Sequence, residues 1–236
     1  MVLPHLENIL FIDIETVPEA ASFDAIDADM QQLFTEKTAY QRKDDSTPEE
    51  FYNKAGIWAE FGKIICISVG YFASISNNRQ FRTTSFYGEE KKILQDFSNL
   101  LSTKFHQKDI VLCGHNIKEF DLPYICRRMI IHQVAIPSLI NAMGKKPWEV
   151  KHLDTMEMWR FGDYKHFTSL KLLCKILQIP TPKDDIDGSQ VAHVYYTEKD
   201  IDRIIIYCEK DVVAVAQIIL RLKHLPLLEP TEHLSV

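Results

Sequence analysis

Ile-Leu-Phe-Ile-Asp-Ile, residues 9–14, is a nearly continuous apolar run with a single acid inside it. This pattern is typical of a strand that is buried on both faces of a sheet. Such strands are found mainly in α/β proteins, in which helices cover both faces of the sheet. We therefore expect the chain to fold around a buried central strand near its N-terminus.

A polar stretch rich in Asp, Glu, Gln and Lys follows, from about residue 18 to residue 60. It contains a helix opening in which Thr47 can cap, Pro48 suits the first helical position and Glu50 can complete a capping box. We predict that this stretch is an insertion of short helices between the first and second strands.

The rest of the chain alternates between strand and helix patterns. Two β-rich runs, residues 63–72 and 79–87, flank an Asn-Asn pair and predict an antiparallel hairpin. Further strands are predicted at 109–113 and 151–156, and helices at 89–105, 119–132, 168–177 and 199–222. The order predicts an α/β fold with a mixed five-stranded sheet flanked by helices, in a single domain over residues 1–236.

The composition excludes several classes of protein. The chain has 236 residues, 46% of them hydrophobic and 25% charged, which excludes disorder, collagen and coiled coil as descriptions of the whole. The N-terminus has no basic region, and no apolar run approaches the ~20 residues of a bilayer span, so we expect neither a signal peptide nor a membrane partner. The five scattered cysteines form no CxxC pair and favour a reducing cytoplasmic location.

The charge balance limits how the chain can bind nucleic acid. Its 27 Lys and Arg residues against 33 Asp and Glu residues give a formal net charge of −6. Proteins that coat polyanions obtain their affinity mainly from phosphate neutralisation, so this balance disfavours that class. An enzyme that grips nucleic acid locally is still compatible with the sequence.

Asp13 and Glu15 lie at the end of the most apolar strand, and alternation places both on the same face. Two buried anions side by side repel each other and lose hydration, at a cost of several kcal/mol per ion. A hard divalent cation such as Mg²⁺ or Mn²⁺ would relieve both problems. Alternatively, Glu15 begins a loop and Asp13 caps neighbouring backbone, and the pair alone does not decide between these interpretations.

Residues 114–121, Gly-His-Asn-Ile-Lys-Glu-Phe-Asp, follow a predicted strand directly. Loops at the carboxyl ends of strands are where α/β proteins usually bind ligands, so His115 and Asn116 could approach a substrate. Asp121 lies at the start of the next predicted helix. The alternative is that Asn116 or Asp121 caps this helix.

Tyr207 and Asp211 are four residues apart in the last predicted helix and project from one face, beside an apolar surface. An acid in such a place usually needs a partner or a metal. Alternatively, Asp211 is a boundary residue in a salt bridge with Lys210 or Arg203.

The three segments together resemble the exonuclease motifs of the DEDD superfamily of 3′–5′ exonucleases. The matching patterns are Asp13-x-Glu15, Asn116-x3-Phe120-Asp121 and Tyr207-x3-Asp211. The third motif resembles the tyrosine branch, because Ile206 stands where the other branch has histidine. The chain is similar over roughly residues 9–222 to the proofreading exonuclease domain of family-B DNA polymerases, in a stand-alone form.

The resemblance implies a ribonuclease H-like fold and hydrolysis of single-stranded nucleic acid from its 3′ end, with release of nucleoside monophosphates. It implies two divalent ions, Mg²⁺ or Mn²⁺, bridged by Asp13. Glu15 and Asp211 would complete the ion that carries the nucleophile, and Asp121 would hold the second. Tyr207 would orient the attacking water, because a tyrosine with a pKa near 10 is a poor base.

Substrate contacts are expected from four further residues. Asn116 would contact the terminal nucleotide, with Phe120 beside it. His115 either neighbours the substrate or is a satisfied loop histidine. Lys165, in the loop before the helix at 168–177, either contacts the nucleic-acid backbone or is solvated. DNA is expected as the substrate more than RNA.

Other polar residues are expected to be structural or superficial. Asp154, at a predicted strand end, is expected to support the site. Arg127 and Arg128, like Lys145 and Lys146, are expected to be ordinary surface charge.

Two further interpretations compete with the nuclease. A non-catalytic nucleic-acid-binding module would be expected to lack a metal carboxylate, and all four are present. A haloacid-dehalogenase-type phosphatase would use the Asp13 loop, but it normally has Asp where this chain has Glu15. No polymerase-sized segment accompanies the motifs, so proofreading would require a separate polymerase or repair partner.

Overall fold

The computed structural model describes residues 3–42, 46–75, 78–105, 109–163, 165–180 and 185–236. Its strands are β1 (Ile9–Pro18), β2 (Gly62–Ile75), β3 (Asn78–Tyr87), β4 (Val111–Gly114), β5 (Leu153–Asp154) and β6 (His233–Ser235). They form one mixed sheet in the order β5-β4-β1-β2-β3-β6. The pairs β1–β2 and β2–β3 are antiparallel, whereas β1–β4, β4–β5 and β3–β6 are parallel.

The described ranges contain eight α-helices. They are α1 (Ala28–Thr38), α2 (Pro48–Phe51), α3 (Glu90–Thr103), α4 (Asp121–Ile131), α5 (Thr155–Arg160), α6 (Leu170–Ile176), α7 (Val191–His193) and α8 (Ile201–Leu222). The helices α1 and α2 lie between β1 and β2, as the polar stretch predicts. The predicted capping box at the start of α2 is present, with Thr47 and Glu50 bonded reciprocally.

The predicted hairpin and the α/β class are confirmed, but the sheet has a sixth strand that the sequence pattern did not predict. This strand, β6, has only three residues and pairs with the outer edge of β3. Three residues are too few to carry an alternating pattern, and Arg79 anchors the segment through Glu232 and the carbonyls of Pro226 and Leu227. Asn77 of the predicted Asn-Asn turn lies outside the described residues.

The core has two layers that the strand β1 separates. Its even-numbered residues, Leu10 and Ile12 among them, pack against α3 and α4. Its odd-numbered residues Ile9 and Phe11 pack against α8. Alternation then directs the next odd-numbered residue, Asp13, towards α8.

Arg128 corrects the expectation of surface charge, because only 4% of it is exposed. Its guanidinium donates to both carboxylate oxygens of Glu90 and to the Ala59 carbonyl oxygen. The Ile64 backbone N–H also donates to Glu90. The helical period places Arg128 on the buried side of α4, whereas its neighbour Arg127 is exposed. The expectation treated the two arginines as one charged pair and did not apply this period, so it did not distinguish them.

Replacing Arg128 by Met should destabilise the fold, because Glu90 would be left buried without its cation. We expect a loss of about 3–5 kcal/mol in the free energy of unfolding. Urea unfolding of the Arg128→Met variant measures this loss. The matched Arg127→Met variant should stay within about 0.5 kcal/mol of the unmodified chain, and equal effects of the two changes would contradict the assignment.

His152 makes the stability depend on pH. It is 8% exposed. Its Nδ1 accepts from the Leu112 N–H, and its Nε2 donates to the Leu139 carbonyl. Burial lowers the pKa of His152 to about 4. At pH values between this folded pKa and the unfolded pKa of about 6.5, His152 carries a proton in the unfolded chain but not in the folded chain.

As the pH is lowered from about 7 to 4, His152 should therefore lower the free energy of unfolding by about 3 kcal/mol relative to a chain that lacks this histidine. Urea unfolding across this range, compared with the His152→Gln variant, isolates that contribution. The exposed His166 supplies the control: His166→Gln should leave the free energy of unfolding within about 0.5 kcal/mol of that of the unmodified chain. Parallel profiles for the unmodified chain and His152→Gln would contradict the expectation.

Candidate active site

The site begins at a bulge where β1 meets β2. Glu15 pairs with Cys66 and Thr16 pairs with Ile64, so Ile65 is an extra residue on β2. As a result, the consecutive residues Ile65 and Cys66 both pack in the cluster formed with α8. The bulge therefore reverses the alternation of side chains between the two faces of β2, next to Asp13 and Glu15 of β1.

Asp13 and Glu15 lie on the α8 face of β1, as the alternation predicts. The Cys208 thiol donates to Asp13 Oδ2 at 3.4 Å. Glu15 is 7% exposed. Within the described residues, its side chain makes no hydrogen bond or ion pair. A largely buried carboxylate without a partner is unfavourable, and no cation among the described residues pairs with Glu15, so this carboxylate is poised for a bound cation.

Asp121 is the first residue of α4 and is 4% exposed. Burial, together with the nearby Asp154, raises its pKa to about 7, while the N–H groups of Asp121 and Ile14 oppose the shift. The N-cap of α4 is Phe120, whose side chain makes no cap bond. The alternative that Asn116 or Asp121 caps this helix is therefore wrong.

The four acids of the three motifs interact with one another. The pKa of Asp13 is raised well above its usual value by burial and then by Asp211, Glu15 and Asp121. The pKa of Glu15 is raised by burial and then most by Asp211. This mutual repulsion shows that the fold brings residues from β1, α4 and α8 into one anionic site.

Tyr207 and Asp211 lie half-buried on α8, one turn apart, with Cys208 between them. They line a cavity of about 330 Å³ together with Ser169 and Lys171 at the start of α6. Arg203, an alternative partner for Asp211, pairs with Asp185 and Glu198 instead. Of the four motif acids, Asp211 is the one that lines this cavity.

Asp154 supports the loop that joins β4 to α4, as expected. Its Oδ1 accepts from the Asn116 N–H at 3.0 Å, and its Oδ2 accepts from the Lys118 N–H at 3.1 Å. It also caps α5. Asn116 has a φ of 67°, a left-handed conformation that Asn tolerates better than most residues. The loop shape that positions Asn116 therefore depends on one buried carboxylate.

His115 joins the same loop to the segment before α6. Its Nδ1 lies 2.9 Å from Thr155 Oγ1, and its Nε2 donates to the Thr168 carbonyl at 2.8 Å. Burial lowers the pKa of His115, which favours the neutral ring. Both ring nitrogens have protein partners, so a substrate would meet only the ring carbons.

The remaining predicted substrate residues are Phe120 and Lys165. Phe120 is half-buried against the α3–α4 core, with its ring centroid 5.4 Å from that of Tyr124. Lys165 is exposed in the loop before α6, where its backbone N–H bonds to Asp163. A larger cavity of about 630 Å³ lies beside α4 and meets the site region at Asn116 and Asp154.

The sequence interpretation missed Cys208, which contacts Asp13 directly. A signal was available, because Cys208 and Asp211 are three residues apart and share a helix face. Cys66, which pairs with Glu15 across the bulge, had no comparable signal.

A comparison with solved structures places the fold. The chain matches a family B DNA polymerase from the hyperthermophilic archaeon Pyrobaculum calidifontis with a TM-score of 0.54 and 14% sequence identity. The match covers 95% of this chain and 25% of the polymerase chain, so the protein spans about a quarter of that length. This similarity, together with the mixed sheet and its flanking helices, confirms the predicted ribonuclease H-like class.

The family follows from the sequence. The chain belongs to the family described as predicted 3′–5′ exonuclease related to the exonuclease domain of PolB, whose model matches residues 57–229. The matched region contains Asp121 and Asp211, whereas Asp13 and Glu15 precede it. A search of curated proteins finds no match to the chain.

No helix in the described part of the chain is both long and apolar enough to cross a membrane.

Replacing Glu15 by Gln should stabilise the metal-free protein, because it removes an unpaired buried charge that faces Asp13 and Asp211. We expect the free energy of unfolding in EDTA at pH 8 to rise by about 1–3 kcal/mol. Urea unfolding measures the change, with the exposed Glu60→Gln as the matched control. A loss of stability in Glu15→Gln alone would contradict the view that this carboxylate is held at a cost.

Proposed function

We propose that the protein is a metal-dependent 3′–5′ exonuclease that shortens single-stranded nucleic acid, DNA in preference to RNA, and releases nucleoside monophosphates. The observation that carries the proposal is the convergence of four carboxylates from β1, α4 and α8, with Glu15 buried and without an ion pair among the described residues. The family to which the chain belongs supports the direction of cleavage.

The donor set fits hard divalent cations. Carboxylate oxygens are the ligands that Mg²⁺ and Mn²⁺ prefer. Asp13, Glu15, Asp121 and Asp211 would hold two such ions. When bound, they lower the pKa of a coordinated water towards neutrality and stabilise the charge on the leaving 3′ oxygen.

Each acid has a distinct place in this scheme. Asp13 interacts with the other three carboxylates and would help to hold both ions. After burial, Asp211 is the largest cause of the raised pKa of Glu15, and these two carboxylates would hold one of the ions together. Asp121, at the start of α4, would hold the second ion.

The neighbouring side chains position the reactants. Tyr207, one turn before Asp211, would orient the attacking water with its hydroxyl and leave the proton to solvent, because a tyrosine hydroxyl is a poor base at neutral pH. Asn116 would bind the terminal nucleotide from a loop that Asp154 holds in place. Phe120, the ring carbons of His115 and the exposed Lys165 would make further substrate contacts.

The cellular setting is part of the proposal. We place the protein in the cytoplasm as one exonuclease domain over residues 1–236, working with a separate polymerase or repair partner where proofreading is needed. A non-catalytic binding module is less compatible with this site, because such a module has no reason to retain four mutually repelling carboxylates.

The activity is testable on 5′-labelled single-stranded DNA and RNA of one sequence, with Mg²⁺, Mn²⁺ or EDTA. We expect a ladder that shortens from the 3′ end, faster on DNA, and is lost with EDTA. Asp13→Asn should lower the rate at least about 1,000-fold, because it removes the bridging carboxylate.

Glu60→Gln, which alters an exposed acid, should cleave like the unmodified chain. Binding of the strands without cleavage in either metal would overturn the exonuclease proposal and favour the binding module.

A further inference from the structure

The acidic site contains a sulfur ligand that the carboxylate chemistry does not use. One ligand atom each from Asp13, Glu15 and Cys208 lies within 4.8 Å of the other two. Cys208 is fully buried, and its Sγ lies 3.4 Å from Asp13 Oδ2. Glu15 completes the group as a nine-tenths buried carboxylate with no hydrogen bond or ion pair among the described residues.

The spacing of these atoms suits one small divalent ion. Zinc lies about 2.3 Å from thiolate sulfur and about 2.0–2.2 Å from carboxylate oxygen, in tetrahedral geometry. These lengths place sulfur and oxygen ligands of one ion about 3.5 Å apart. The 3.4 Å between Cys208 Sγ and Asp13 Oδ2 already matches that separation.

The chemistry of the ligands separates two kinds of ion. Thiolates favour Zn²⁺ and related ions, whereas Mg²⁺ and Mn²⁺ favour oxygen ligands. We propose that Cys208, Asp13 and Glu15 form a binding site for one thiophilic divalent ion of the zinc class, and that this ion excludes Mg²⁺ or Mn²⁺ from Asp13 and Glu15. The ion site stands on the geometry, while the inhibition of cleavage that it predicts rests on the proposed function.

Binding involves no oxidation or reduction. The S–H bond of Cys208 breaks, both electrons stay on sulfur and form the bond to the ion, and the proton leaves to the buffer. Three protein ligands leave a fourth position for water or for the neighbouring Asp211.

Cobalt tests the site directly, because Co²⁺ bound to a thiolate absorbs in the near ultraviolet through sulfur-to-metal charge transfer. Titration of the metal-free protein with Co²⁺ should produce this band at one equivalent. The Cys208→Ser variant should lose the band and bind Co²⁺ at least about 10-fold more weakly. The Cys126→Ser variant, whose thiol contacts the Ile140 carbonyl elsewhere, should keep both.

Two further variants complete the spectroscopic test. Glu15→Gln leaves the thiol in place and should weaken Co²⁺ binding while retaining the band at saturation. Cys66→Ser changes the adjacent thiol and should retain the band at one equivalent. Absence of the band in the unmodified chain, or its survival in Cys208→Ser, would overturn the proposal.

Zinc inhibition of the Mg²⁺-dependent cleavage supplies the second readout. Cys208→Ser should require at least about 10-fold more Zn²⁺ for half-inhibition, each variant being compared with its own zinc-free rate. Equal zinc sensitivity would overturn the exclusion of Mg²⁺. A cobalt band in a protein that cleaves nothing would instead refute the exonuclease proposal and leave the ion site standing.

Discussion

The electrostatic repulsion at the end of β1 is the constraint around which the structure is built. This strand must be buried on both faces to hold the sheet together, yet it carries Asp13 and Glu15 on its α8 face. Burial and like charge both raise the pKa values of these acids, so the metal-free site opposes folding. Apolar packing of Ile9 and Phe11 against α8 offsets that cost and places α8 beside the acids.

Structural polar groups hold the surrounding elements in place without entering the anionic site. Arg128 and Glu90 join α4 and α3 to Ile64 of β2, next to the bulge that follows Glu15. Asp154 and the neutral ring of His115 hold the loop that leads into Asp121. These groups have their hydrogen bonds within the protein, whereas the Glu15 side chain has none among the described residues, and this contrast separates scaffold from candidate site.

Sequence reasoning succeeded where one element decides the outcome. A continuous apolar run identified β1, a helical stripe identified α8, and strand alternation placed Asp13 and Glu15 on one face. It failed where the outcome depends on a partner that is distant in the sequence. The three residues of β6 form a strand only because they pair with the edge of β3. The burial of Arg128 depends on Glu90 from another helix. Charge and periodicity along the chain do not encode those partners.

The sequence alone determined which acids belong to one strand or helix face, because the periods of 2 and 3.6 residues are local properties of the backbone. It also placed the chain near the polymerase exonucleases through the spacing of three motifs. Only the tertiary structure decided that Cys208 touches Asp13, 195 positions away, and that Glu15 is buried with no hydrogen-bond or ion-pair partner in the described part of the chain. Both facts depend on how α8 packs over the bulged edge of β1 and β2, a contact between surfaces that no local period specifies.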